Sequence, residues 1–250
     1  MPGTRPLTRI FVPGHLDASG KCVLPPAQAR HMARVLRLRP GDAVTLFNGD
    51  GNEYSAEIER VGKDTATLNV TGRRAVDREA PFAVMLAQAV SGGERMDYTV
   101  QKAVELGVAG IQPIASARSI VRLDEERAAK RIVHWQAVVV AACEQCGRNR
   151  VPQISPLLEF DEWLALVAKA HDDSTKLLLS PHAHDSLREH EHPARGVVLL
   201  SGPEGGFEPE EDRAAQRAGF HPVRLGSRVL RTETAAVAAL AALQALWGDF

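Results

Sequence analysis

The pattern of apolar and polar positions changes near residue 75. Before that point, short apolar or alternating segments lie between strong turn sequences. The predicted strands are residues 9–12, Ala43–Phe47, 54–59 and 65–70. One helical stretch, residues 27–36, interrupts them, and the charged, non-periodic residues 72–81 are predicted to be a linker. Because several short strands at regular spacing are typical of a small barrel, residues 1–75 are predicted to form one.

After the linker, longer apolar runs alternate with segments of helical periodicity. The predicted strands are residues 82–90, 109–114, 176–180, Gly196–Ser201 and 222–225. One predicted helix ends at Gly107, a suitable residue for a helix C-terminus, and a long one covers about residues 124–144. Alternation of strands and helices, with continuously apolar strands, predicts an α/β domain with a largely parallel sheet over residues 80–250.

Composition indicates an ordinary soluble globular protein. The chain has 250 residues, of which 44% are hydrophobic and 24% charged. The sequence before Thr8 has no apolar core, which argues against a signal peptide. The segment nearest to a membrane span, residues 234–247, is too short and contains Gln244. We therefore expect a cytoplasmic protein without a membrane partner.

Charge is distributed unevenly along the chain, although the net charge is only −1. Basic side chains dominate residues 1–40, and Arg30, Arg34 and Arg37 recur there at helical spacing. Such a basic stripe beside a β-barrel favours docking on an RNA backbone, although a solvated face is the alternative. Acidic residues concentrate instead at positions 204–212, which suggests a second surface with a different partner.

The three cysteines are not predicted to hold a metal. Cys143 and Cys146 have the spacing of a zinc half-site or a redox pair, but a structural zinc site needs four ligands. No second cysteine pair or close histidine pair completes the set, so small buried thiols are the favoured interpretation. The histidines likewise lack a regular metal-ligand spacing.

A glycine-rich loop follows the buried strand Gly196–Ser201 and precedes a helix that has Pro209 near its start. Ligands of open α/β sheets bind beyond the carboxyl ends of strands, where glycines let them approach the backbone. Neither the dinucleotide nor the P-loop fingerprint is present, and the acids around the loop would repel a phosphate. A positively charged ligand without phosphates, such as S-adenosylmethionine, fits better. The alternative is a tight turn whose acids cap the helix.

A second loop, residues 225–234, also lies between a strand and a helix, for which Thr232 or Thr234 can serve as N-cap. The apolar side chains of Val229 and Leu230 stand between two arginines in this loop. An ordinary loop would expose them at a cost, whereas an enclosed adenine ring would bury them. This loop therefore strengthens the prediction of an adenosine-containing ligand.

Several long motifs resemble the ribosomal RNA small subunit methyltransferase E family. They are residues 31–37, 101–108, 142–152, 201–206 and 228–234. The resemblance spans nearly the whole chain. It implies methylation of uridine N3 in 16S ribosomal RNA, with S-adenosylmethionine as methyl donor. It also implies a SPOUT-type α/β domain with a C-terminal trefoil knot over residues 80–250, a PUA-like RNA-binding barrel over residues 1–75, and a homodimer. Arg95 and Ser227 stand where the family often has lysine and proline, which leaves the side-chain roles at those positions open.

The resemblance also assigns the cofactor-binding residues, whereas the catalytic and RNA-binding candidates follow from side-chain chemistry. The implied cofactor-binding residues are Leu179, Ser201, Gly202, Pro203, Glu204, Gly205, Leu225, Gly226, Ser227, Val229, Leu230 and Thr232. Arg231 is the candidate for stabilising the uridylate anion, because a guanidinium stays charged and can pair with a carbonyl edge. Glu233 is a candidate general base, with a structural ion pair between the two as the alternative. Arg148 and Arg150 are candidates for RNA phosphate contacts, or for complementing a helix dipole.

Two other function classes remain open from the sequence. One is a non-catalytic RNA-binding or ribosome-assembly factor with a vestigial cofactor pocket. The other is a nucleotide-dependent enzyme of the doubly wound type, which the acids around the glycine loop disfavour. Binding of S-adenosylmethionine distinguishes the methyltransferase from both.

Overall fold

The computed structural model describes residues 8–119, 124–170 and 173–250. The chain separates into two compact units. The first comprises Met1–Glu79 and Cys143–Val151, and the second comprises Ala80–Ala142 and Pro152–Phe250. The apolar pattern predicts a division near residues 75–80, but it gives no sign that Cys143–Val151 returns to the first unit.

The first unit is built on a five-stranded sheet. Its strands are β1 Thr8–Phe11, β2 Gly20–Leu24, β3 Ala43–Phe47, β4 Asn52–Val61 and β5 Ala66–Ala75. They lie in the order β1-β3-β4-β5-β2, with β1 parallel to β3 and the other neighbours antiparallel. Alternate residues such as Tyr54, Ile58 and Leu68 are buried and form one apolar core. Each such side chain removed from water contributes roughly 1.5–3 kcal/mol before entropy is counted.

The predicted helix over residues 27–36 is split into two forms. Helix α1 covers Pro26–His31, with proline in its first turn, and a π-helical turn follows over Met32–Leu36. The turn ends at Arg37, which has a left-handed φ of 53°. Met32 is fully buried against the sheet, so the basic residues around it lie on the outer side.

The second unit is built on a seven-stranded sheet in which every described pairing is parallel. Its strands are β6 Ala83–Ala89, β7 Gly110–Ala115, β8 Gln153–Ile154, β9 Leu158–Glu159, β10 Thr175–Leu179, β11 Gly196–Ser201 and β12 His221–Val223. The strand order is β12-β10-β11-β6-β7-β8, with β9 also paired to β7. The nearly continuous burial of β11 is what its apolar sequence predicts for a central parallel strand.

Helices connect and cover these strands. They are α2 Glu94–Glu105, α3 Glu125–Cys146, α4 Phe160–Lys169, α5 Pro209–Arg217 and α6 Thr232–Trp247, and a 3₁₀ turn lies at Leu187–Glu189. Helix α4 contributes Phe160 and Trp163 to a core that also contains Phe220, and helices α2 and α6 pack against each other. Within the described parts of the chain, no helix has both the length and the apolarity needed to cross a membrane.

Candidate functional site

Three neighbouring strands end at the same edge of the second sheet. Strands β10, β11 and β12 are parallel, and their registers pair Leu178 with Leu200 and Leu179 with Val223. The segments that follow them are therefore brought together at the carboxyl edge, the position where open α/β sheets bind ligands. This is the arrangement that the glycine-rich loop and the second loop predict.

A cavity of about 720 Å³ lies at this edge. Most of the predicted cofactor-binding residues line it: Leu179, Ser201, Gly202, Pro203, Glu204, Gly205, Val229, Leu230 and Thr232. Leu225 lines a smaller cavity of about 60 Å³ that shares Leu179, Val229 and Leu230 with the first. Gly226 and Ser227 line neither cavity, so the structure gives no contact role to these two. The volume is within the range of sites for nucleoside-sized ligands.

The glycine loop owes its shape to two glycines and one anchor. Gly206 has a φ of 68°, a conformation that side chains rarely adopt. A Cβ at Gly202 would lie 3.2 Å from the ring of Phe207, so a larger residue would require the ring to shift by a few tenths of an ångström. Phe207 itself packs on Phe160, with ring centroids 5.4 Å apart, which fixes the loop to the core.

The acids around the loop divide into two groups, which corrects the sequence interpretation. Glu208 and Glu211 form a capping box at the start of α5, and Glu210 pairs with Arg213. These carboxylates stabilise the helix N-terminus and leave only Glu204 and Asp212 of the acidic stretch in the cavity lining. The helix-capping alternative therefore holds for Glu208 and Glu211, and a contact between the ligand and Glu204 stays a prediction.

Glu204 is the acid most closely built into the site. Its Oε1 accepts hydrogen bonds from the backbone N–H of Gly92 at 2.9 Å and from Arg95 Nη1 at 2.8 Å. Burial alone would raise the pKa of Glu204, but the Gly92 and Arg95 hydrogen bonds outweigh it and lower the pKa overall. The cavity therefore contains a carboxylate that is ionised at neutral pH.

Two arginines that sequence reasoning does not single out as site residues also line the cavity. Arg95 pairs with Glu204, and Arg118 donates to the carbonyl oxygen of Gly205 at 3.1 Å. Arg118 also lies 3.9 Å from Glu208. Both arginines therefore hold the glycine loop from outside it. The sequence signals neither role, because their partners are 109 and 87 residues away.

The second loop presents apolar side chains to the cavity. Val229 lines both cavities although 78% of its surface is exposed, and Leu230 beside it is half-buried. A large apolar residue exposed inside a concave site is costly unless a ligand covers it. This observation agrees with the expectation that an adenine ring packs here.

The two predicted catalytic residues lie at the start of α6, two positions apart. Arg231 occupies the N-cap position and is exposed, Glu233 lies in the first turn, and both line the cavity. No ion pair between the two occurs in the structure, so the alternative of a structural pair loses its support. Glu233 Oε2 is buried and lacks a hydrogen-bond partner among the described residues.

Thr232 is not the N-cap of helix α6. Helix α6 begins at this residue, and no side chain caps it. The Thr232 hydroxyl instead donates to the carbonyl oxygen of Gly202 at 2.6 Å, which joins the helix start to the glycine loop.

Three of the predicted RNA-binding arginines, Arg30, Arg34 and Arg37, are exposed. Arg30 pairs with Asp64 at 2.9 Å across the surface, and Arg34 and Arg37 lie on and after the π-helical turn. An exposed pair of this kind contributes little to stability, so Arg30 remains available to a phosphate.

The burial of Arg148 contradicts its predicted contact with RNA. The Arg148 side chain is only 5% exposed and forms a two-point ion pair with Glu79, with Nε 3.2 Å from Oε1 and Nη2 bonded to Oε2. A guanidinium that is buried and paired in this way is not free to reach a phosphate, and its function is to hold the segment Cys143–Val151 in the first unit. Arg150 is exposed, and its contact with RNA stays a prediction.

Cys143 and Cys146 are free thiols, the first buried and the second half-buried. Cys143 is buried, its Sγ donates to the carbonyl oxygen of Arg150, and burial raises the pKa of the thiol to about 12. Such a thiol is inert at neutral pH. Among the residues that the structure describes, no group of three or more potential ligands is placed to hold a metal ion.

Comparison with known proteins identifies the family of this chain. An RNA methyltransferase domain model matches residues 78–244, and an RNA methyltransferase PUA domain model matches residues 24–71. Ribosomal RNA small subunit methyltransferase E of Buchnera aphidicola is 32% identical over 243 residues, which cover 97% of this chain and 98% of the relative.

Two solved structures are also similar. A methyltransferase from Legionella pneumophila, in complex with its cofactor S-adenosylmethionine, has a TM-score of 0.93 and 41% identity. Ribosomal RNA small subunit methyltransferase E from Neisseria gonorrhoeae, bound to S-adenosylmethionine, has a TM-score of 0.90 and 42% identity. Each comparison covers 98% of this chain and 99% of the other.

These matches confirm the predicted SPOUT-type α/β fold with its parallel sheet and its PUA-like first part. The trefoil knot is not shown by the strand order and stays a prediction. The cavity, the loops and the comparisons agree on one assignment: the chain belongs to the ribosomal RNA small subunit methyltransferase E family.

Proposed function

We propose that this chain transfers the methyl group of S-adenosylmethionine to N3 of a uridine in 16S ribosomal RNA of the small ribosomal subunit. The observation that carries the proposal is the cavity at the carboxyl edge of β10, β11 and β12, where apolar Val229 and ionised Glu204 face one space. The two S-adenosylmethionine complexes at 41% and 42% identity support the choice of donor.

The residues present fit this donor. Val229 and Leu230 offer an apolar surface for an adenine ring, and Gly202 and Gly205 bring backbone close to the space. Glu204 supplies a negative charge suited to a ligand with positive charge. S-adenosylmethionine, when bound, supplies an electrophilic methyl group on a sulfonium.

The chain's own residues then have to prepare the acceptor. Uridine N3 carries a proton and is a poor nucleophile until that proton leaves. Glu233 is the proposed acceptor of the N3 proton, since it lies in the cavity lining and lacks a hydrogen-bond partner for Oε2 among the described residues. Arg231, exposed at the same wall, is proposed to pair with a carbonyl oxygen of the uridylate and spread its negative charge.

Binding of the RNA is proposed to involve the exposed arginines. Four arginines of the first unit are proposed to contact phosphates, which position the RNA without reading its sequence: Arg30, Arg34, Arg37 and Arg150. Because the substrate belongs to the ribosome, we place the activity in the cytoplasm. The resemblance further supports a homodimer, which light scattering during size-exclusion chromatography would test.

Methyl transfer can be tested directly. The full chain is incubated with methyl-labelled S-adenosylmethionine and either naked 16S ribosomal RNA or assembled small subunits that lack the modification. The RNA is digested to nucleosides and analysed by mass spectrometry. Labelled 3-methyluridine is the expected product. Label in another nucleoside would refute the N3 assignment, and RNA binding without uptake of the donor would favour the assembly-factor alternative.

A further inference from the structure

A glutamine outside the cofactor loops connects them. Gln88 lies in strand β6, beside Ser201 in the sheet register, and is fully buried. Its Nε2 lies 3.3 Å from the carbonyl oxygen of Gly202 and 3.1 Å from the hydroxyl oxygen of Thr232. It also lies 3.0 Å from the carbonyl oxygen of Ala89. With the Thr232 hydroxyl bonded to Gly202, the three residues form a closed set of hydrogen bonds.

We propose that Gln88 is a positioning residue for the methyl-donor site, and that Gln88 and Thr232 together clamp the glycine loop to the start of α6. The proposal rests on the proposed function. Gly202 and Thr232 both line the cavity, whereas Gln88 lies behind them. Thr232 also stands between Arg231 and Glu233, so the clamp fixes the distance from the donor loop to both proposed catalytic residues.

The orientation of the Gln88 amide supports a positioning role. Its Oε1 is buried and has no hydrogen-bond partner in the described part of the chain. A buried acceptor without a partner is costly, so the hydrogen bonds that keep the amide in this orientation are those of Nε2. Rotation of the amide would place Oε1 against the carbonyl oxygens of Gly202 and Ala89, which repel it. Only one orientation is therefore compatible with the closed loop.

This geometry defines the substitutions that test the clamp. Gln88→Met keeps the length of the side chain but removes the amide N–H groups that donate the hydrogen bonds. Thr232→Val keeps the branched shape but removes the hydroxyl, and Thr232→Ser restores it. Gln88→Met and Thr232→Val each remove about one net hydrogen bond from the glycine loop, which is proposed to contact S-adenosylmethionine. The Kd for S-adenosylmethionine should therefore rise on the order of tenfold.

Gln244 provides a matched control. It is also a fully buried glutamine with an unpartnered Oε1 in the described structure, but its Nε2 donates to the carbonyl oxygen of Leu106. That bond joins α6 to the end of α2 and includes no residue of the cavity lining. Gln244→Met should lower the melting temperature without changing the Kd for the donor.

The experiment measures the Kd for S-adenosylmethionine by calorimetry and the melting temperature without ligand. It also measures the kcat and the KM for S-adenosylmethionine, with small subunits as the methyl acceptor. For Gln88→Met and Thr232→Val we expect a raised Kd and KM, with recovery of most of the lost affinity in Thr232→Ser. The clamp is refuted if wild type binds the donor and the Gln88 and Thr232 variants bind it as tightly as Gln244→Met. A wild-type chain that binds no donor would instead overturn the proposed function, and the clamp with it.

Discussion

We expect Glu53 to stabilise the first unit, because its carboxylate pairs with three arginines of that unit. Its Oε1 accepts from Arg9 Nη1 and Arg78 Nη1, both at 2.7 Å, and its Oε2 accepts from Arg74 at 3.1 Å. Through Arg9, which also donates to Asn149 at 2.6 Å, this carboxylate holds the segment Cys143–Val151 in place. Glu53→Gln should therefore destabilise the first unit and release that segment.

The size of the expected destabilisation follows from the pKa of Glu53. Burial alone would raise it, but hydrogen bonds from Arg78 and Arg74 outweigh that effect and lower the pKa from 4.5 to about 2. A pKa difference of this size contributes at most about 3 kcal/mol to the free energy of unfolding. Solvent screening of the exposed Arg74 reduces this contribution. Because the folded-state pKa is depressed, this stability is present above pH 4.5 and is lost as the pH falls towards 2. The loss should be about 1 kcal/mol by pH 4 and about 2 kcal/mol by pH 3.

Urea unfolding followed by circular dichroism at pH 7 and pH 4 tests this. At pH 7, Glu53→Gln should lower the free energy of unfolding by about 2–3 kcal/mol, since Arg9 loses its buried partner. At pH 4 the difference in the free energy of unfolding between Glu53→Gln and wild type should be about 1 kcal/mol smaller than at pH 7. Glu59→Gln, on the same strand but in an exposed pair with Lys21, is the control and should change little. A gap that is absent, or that does not change with pH, would refute the reasoning.

Three further outcomes are expected. Arg231→Ala should lower methyl transfer by on the order of 10²-fold or more while binding of S-adenosylmethionine survives, and equal loss of both would refute its role towards the uridylate. Arg148→Ala should lower the free energy of unfolding by about 3 kcal/mol, because it leaves Glu79 without its partner, whereas Arg150→Ala should leave stability within about 0.5 kcal/mol of wild type in the same urea titration. Replacement of Arg34 and Arg37 by glutamate should weaken RNA binding and reduce its salt dependence in a filter-binding assay, and unchanged RNA affinity would speak against the basic stripe as a docking surface.

The sequence predicts well those elements whose signals are local. Strands Ala43–Phe47 and Gly196–Ser201 have the predicted bounds, because each is an apolar run between clear turn residues. The cavity also follows from local signals, since parallel strands with glycine-rich or apolar loops at their carboxyl ends indicate where a ligand binds. Hence most of the predicted cofactor residues line one cavity.

Features that depend on distant partners could not be predicted in the same way. Arg148 stands in a polar run after a helix, which normally indicates solvent, and its burial depends on Glu79, 69 residues earlier. Gln88 is one polar residue in an apolar strand, and its partners lie 114 and 144 residues later. Apolar periodicity carries no information on such pairs, so these roles emerge only from the folded chain.

Binding of the methyl donor is tested most directly by calorimetric titration of the full chain with S-adenosylmethionine and, in parallel, with ATP. One binding event per chain is expected for S-adenosylmethionine, since Val229 and Leu230 can cover its adenine and Glu204 favours positive charge. No binding is expected for ATP, because the lowered pKa of Glu204 keeps in the cavity a negative charge that repels the triphosphate. Uptake of ATP without uptake of S-adenosylmethionine would contradict the assignment of this cavity.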